Sequence, residues 1–160
     1  IAHISEDKLN YYTEKDKQDL ARIADSASLR IEKHFKDNPN LVGDLCAGLP
    51  GCGGVTNSIL AYLLTKGDVN RMCAAIEPEV LAAARNSLPK DSNLEVKGIT
   101  INKGKDNEHH AVIVYPKGTD YNKTGVIFDP WQKQSSDPKD MVIPYPKWGW
   151  YTDPISFDQK

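Results

Sequence analysis

The apolar residues of this 160-residue chain change period once, near Leu94, and that change restricts the fold more than any other feature. Upstream the spacing is helical. Leu20, Ile23, Ala24, Ala27, Ile31 and Phe35 fall on one face of a predicted helix over Glu14 to Lys36, which Asp37-Asn38-Pro39-Asn40 ends. Val55, Ile59, Leu60, Leu63 and Leu64 predict a second helix, closed by Lys66-Gly67. Two shorter helices are expected over Asp68 to Ile76 and Pro78 to Leu88, with Pro in a first turn where its missing N–H costs little. Downstream the residues alternate. Leu94 to Ile101, His110 to Tyr115 and Gly125 to Phe128 read as antiparallel strands, with the polar stretch Pro116 to Thr124 as a hairpin. Met141 to Tyr145 reads as an edge strand limited by Pro144 and Pro146. Helices first and strands after predict an α+β domain.

The length suits one domain, residues 1 to 160, with an N-terminal helical region to 40, a middle region from 41 to 92 and a sheet from 93 to 160. A formal charge of -2 offers no excess of positive side chains to track a phosphate backbone, so nucleic acid is not expected as a partner. No apolar run reaches the roughly eighteen residues that a membrane-spanning helix needs. The chain begins with Ile1 and carries no basic segment followed by an apolar signal region, which suggests a processed product or an excised domain. Cys46, Cys52 and Cys73 are too few and too unevenly paired for a disulfide scaffold, so at least one thiol is left over.

One of those thiols has unusual surroundings. Between Leu41 and Gly54 stand Pro50 and glycines 43, 48, 51, 53 and 54, which stop any helix or strand and set Cys52 where the helix from Val55 begins. A helix N-terminus lowers a thiol pKa and leaves backbone N–H groups to bind an oxyanion. Two later segments supply partners. His109-His110-Ala111-Val112 places a histidine at the mouth of an apolar strand, and Phe128-Asp129-Pro130-Trp131 ends the next strand on a carboxylate. Neighbouring strand residues point to opposite faces, so only one of His109 and His110 can meet the thiol. A histidine so placed takes the thiol proton while the carboxylate orients its ring.

In layout these segments resemble the papain-like superfamily, and within it the bacterial toxin and effector domains with a Cys-His-Asp triad. The family order is nucleophile at a helix start, histidine in an Asn-His-Ala-Val-like strand, and Asn or Asp at the end of the next strand. Carried onto this chain, the resemblance implies Cys52, His110 and Asp129 as catalytic residues, spaced 58 and 19 residues apart. It covers about Leu49 to Trp131 and implies a papain-like fold, with a nucleophile-bearing helix packed on an antiparallel sheet. Among the activities the resemblance implies, deamidation of a glutamine on a target protein comes first. A cysteine protease comes second, followed by a transglutaminase, a peptidoglycan amidase or an inactive binding module. It further implies a protein substrate, an immunity or activating partner, and a chain that is secreted or delivered into a host or recipient cytoplasm. The glutamine that papain-like enzymes carry six residues before the nucleophile is replaced by Cys46, and the tryptophan that follows a transglutaminase nucleophile is replaced by Gly53.

No cofactor and no metal is expected from the sequence: His109 and His110 diverge on a strand, and no cysteine pair has zinc spacing. Gly48 to Gly54 lacks the Lys-Ser or Lys-Thr of a phosphate loop, and Ser58 lacks the glycine elbow of a serine hydrolase. His3 and His34 are expected on the surface, and Trp131, Trp148 and Trp150 in packing at strand ends.

Overall fold

The computed structural model describes residues 11–37, 69–105, 107–129 and 141–158. The expected helix from Val55 to Gly67, its glycine-rich approach, Cys46, Cys52, His3 and Trp131 lie outside the described residues, as does the side chain of Cys73. Helix α1 runs from Glu14 to Asp37. Its start is a reciprocal cap: the Thr13 hydroxyl accepts from the Asp16 N–H at 3.0 Å, and the Asp16 carboxylate accepts from the Thr13 N–H at 3.2 Å. Helix α2 runs from Val69 to Ser87 as one element, where the sequence predicts two. Pro78 lies inside it and removes one backbone hydrogen bond, yet the helix continues on both sides.

Five strands follow, β1 (Leu94–Ile101), β2 (His109–Pro116), β3 (Val126–Phe128), β4 (Val142–Pro144) and β5 (Ile155–Phe157). They form one sheet in the order β4-β3-β2-β1-β5, antiparallel at every pairing. The α+β arrangement expected from the change of period is therefore present, with helices first and an antiparallel sheet after. A single helical turn, Tyr121–Thr124, occupies part of the predicted hairpin loop and is capped by the Asp120 carboxylate. Strand β5 has no counterpart in the sequence reading: it returns along the free edge of β1, pairing Ile99 with Phe157 and Ile101 with Ile155.

Each sheet face buries its own set of side chains, as alternation demands. Leu94, Val112, Val114, Val126 and Phe128 pack against Leu20, Ile23, Ile31, Val80 and Ala84 of the two helices. Ile99, Ile101, Ala111, Ile113 and Ile127 pack on the other side against Tyr145 and Trp148. Tyr12, just before α1, ties the helical layer to the sheet: its hydroxyl donates to the Thr124 carbonyl at 2.5 Å, with the Val114 carbonyl at 3.2 Å. His34, expected on the surface, is partly exposed, with a ring nitrogen 3.5 Å from Glu79 of α2. Among the described residues no helix is long and apolar enough to cross a membrane.

Candidate functional site

The register of β2 and β3 decides which histidine meets Asp129. Ile113 pairs with Ile127, so odd-numbered residues of the two strands share a face. Extended to the strand ends, that parity sets His109 and Asp129 on one side and His110 on the other. The side chains follow it: His109 Nε2 lies 2.8 Å from Asp129 Oδ2. The expected pairing of His110 with Asp129 is not formed, because His110 points to the helical face. The sequence held the alternation but not the register, and the register fixes which histidine shares a face with Asp129.

The His109–Asp129 pair is closed off from solvent, the carboxylate at 0% exposure and the histidine at 2%. Such a carboxylate is costly unless its oxygens are satisfied. The Trp148 indole N–H donates to the same Oδ2 at 2.9 Å. Trp150 stacks on the imidazole at 4.2 Å between centroids and 15° between planes. The indoles thus do more than fill space: one orients the carboxylate and the other covers the ring. A carboxylate oxygen that accepts from the Trp148 indole can accept from His109 Nε2–H as well, and in a neutral imidazole that leaves the lone pair on Nδ1. Cys52, the expected nucleophile, lies outside the described residues.

On the opposite face His110 sits in a second polar cluster. Its Nδ1 is 3.0 Å from Glu77 Oε2 of α2 and 3.2 Å from the Thr100 hydroxyl of β1. Its Nε2 is 3.2 Å from Glu108. Thr100 in turn donates to Asp158, just past β5, at 2.7 Å. This cluster opens on a cleft of about 910 Å³ whose walls include Leu81, Arg85, Lys103 and Phe157. Burial, helped by the hydrogen bond and charge of Asp158 and opposed by His110, pushes the Glu77 carboxyl up to about 7. The hydrogen bond that His110 donates to Glu77 raises His110 above its ordinary value against the pull of burial, and Glu108 adds to the rise. Burial pulls Asp158 upward, but the hydrogen bonds from Glu77 and Thr100 outweigh it and hold that carboxyl below its usual range. The backbone N–H of Gly104 holds Glu108 low as well.

Sequence spacing gave no hint of this cluster, because its members come from α2, β1, β2 and the segment after β5. No protein-family model, curated protein or solved structure matches the chain.

Proposed function

We propose that the chain is a cysteine-dependent amide hydrolase working through an acyl-enzyme, with Cys52 as nucleophile, His109 as base and Asp129 as the carboxylate that orients it. His109 takes the part that the sequence resemblance gave to His110. The observation that carries the reading is the buried His109–Asp129 hydrogen bond, braced by Trp148 on the same oxygen. A buried histidine and carboxylate add little net stability compared with apolar side chains of the same volume. General-base chemistry gives a reason for an imidazole and a carboxylate at the ends of two apolar strands.

In the proposed reaction the Cys52 thiol gives its proton to His109 Nδ1 and its sulfur attacks the amide carbonyl. The C–N bond then breaks, and the amine or ammonia leaves with the proton from His109. Water, deprotonated by the same nitrogen, cleaves the thioester and releases the carboxylate product, restoring the thiol. Asp129 stays ionised throughout and stabilises the imidazolium. A glutamine side chain on a target protein is the amide put forward first, in line with the toxin and effector resemblance, and a peptide bond second. A thiolate enzyme of this kind needs a reducing site of action, which a recipient or host cytoplasm supplies. An immunity or activating partner belongs to the same proposal.

The test is alkylation of the reduced chain by iodoacetamide between acid and neutral pH, with the modified thiols mapped by mass spectrometry. Faster reaction at Cys52 than at Cys46 or Cys73, persisting at acid pH, is expected. Equal reactivity of the three thiols in the folded chain would overturn the proposal and leave a protein-binding module in its place.

A further inference from the structure

The cluster on the helical face is separate from the His109–Asp129 pair and plays no part in the proposed hydrolysis. We infer that Glu77, His110 and Asp158 form a binding site for a divalent transition metal of the zinc class, with one coordination position open to the cleft. The three residues come from α2, β2 and the segment following β5, and one donor atom from each lies within 4.8 Å of the others. A tetrahedral ion with bonds of ~2.0–2.2 Å sets its ligand atoms roughly 3.3–3.6 Å apart. His110 Nδ1 and Glu77 Oε2 stand at 3.0 Å, a few tenths of an ångström short of that. One imidazole with two carboxylates suits zinc and its first-row neighbours better than the thiolate-seeking ions.

What separates this cluster from a chance meeting of acids and a histidine is that the outer groups are in place too. A metal-binding histidine needs its second ring nitrogen held by an acceptor, so that the first one presents a lone pair. Glu108 meets His110 Nε2 at 3.2 Å and is itself fixed by the Gly104 N–H at 2.8 Å. The Thr100 hydroxyl orients the Asp158 carboxylate at 2.7 Å. The backbone also makes room. A Cβ on Gly98 would stand 2.5 Å from Glu77 Oε1 and 3.2 Å from Asp158 Oδ2, so the bare backbone at residue 98 leaves Glu77 its place over β1. Three protein ligands beside a cleft leave a fourth position for water or an anionic ligand, and Arg85 and Lys103 on the cleft walls favour the anion.

The test is titration of the reduced full chain with cobalt(II), read by visible absorption, followed by displacement with zinc(II). One equivalent of cobalt with the stronger d–d bands of a four- or five-coordinate ion and no thiolate charge-transfer band is expected, marking nitrogen and oxygen ligands. Asp158→Asn should weaken binding by more than tenfold. Loss of an outer-shell partner of a bound histidine costs on the order of 10–100-fold in affinity, and Glu108→Gln should fall in that range. Gly98→Ala should also weaken it, by pushing the Glu77 carboxylate aside while every ligand residue is kept. If Asp158→Asn fails to fold, Glu108→Gln at the rim carries the same test. No saturable binding by the unaltered chain, a thiolate band, or unchanged affinity in the variants would overturn the inference. Alkylation of Cys52 is read separately, so failure here leaves the proposed hydrolase standing and failure there leaves the metal site standing.

Discussion

Asp129 accepts two hydrogen bonds on one carboxylate oxygen, from His109 and from Trp148, in a space that water does not reach. A hydrogen bond to a charged group contributes about 1.5–3 kcal/mol, so Trp148→Phe, which keeps the ring volume but removes the N–H, should lower unfolding stability by that amount in urea. The same change should slow alkylation of Cys52 and shift its pH profile, because the carboxylate that orients His109 loses a brace. A pH profile that stays put while stability falls would reduce Trp148 to a packing residue. Alternation by itself leaves open which of His109 and His110 meets Asp129. The sequence contained the alternation and both strands, but only the pairing of Ile113 with Ile127 turns alternation into an assignment. The roles of Trp148, Glu77 and Asp158 could not be read from the chain, since each meets its partner across elements that no local pattern connects.

At the scale of elements, the hydrogen bonds of Tyr12 hold the start of α1 against the sheet. Tyr12→Phe leaves the buried Thr124 and Val114 carbonyls short of a donor, an expected cost of about 1–3 kcal/mol measured by denaturant unfolding. Burial, with the charge of Asp16 second, raises the phenol far above its ordinary value. The sign follows from linkage: the folded chain keeps this proton when the unfolded chain has released it, so the stabilisation is complete below pH ~10 and is lost as pH rises beyond it. Tyr12→Phe should flatten the alkaline limb of the stability curve. Helix α2 carries a second test. Pro78 is exposed and sits mid-helix, where proline costs up to ~3 kcal/mol relative to alanine, so Pro78→Ala should raise the melting temperature. That residue also explains why sequence reading divides the helix: proline is a start signal more often than an interior residue, and packing against α1 and β2 overrides the signal here.

Across the whole molecule, the change from helical to alternating period was enough to give the order of layers, because each period dictates which face is apolar. It did not give β5. Three residues preceded by Pro154 carry little strand signal of their own, and their place is set by the open edge of β1, where Phe157 pairs with Ile99 and Ile155 with Ile101 across more than fifty positions of chain. Both faces of the sheet are buried, one under helices and one under the aromatic segment around Tyr145 and Trp148. Truncation on either face should therefore cost alike: Phe128→Ala about 3–5 kcal/mol and Ile113→Ala about 2–5 kcal/mol in urea unfolding. Between these faces β2 presents two histidines in sequence, His109 toward Asp129 and His110 toward Glu77. The central claim is that the first of them is the base. The most direct measurement is the pH dependence of Cys52 alkylation by iodoacetamide in His109→Gln and His110→Gln, each checked for folding by circular dichroism. The account predicts that the acid-pH reactivity of Cys52 is lost in His109→Gln and kept in His110→Gln. Loss only in His110→Gln, or in neither, would contradict it.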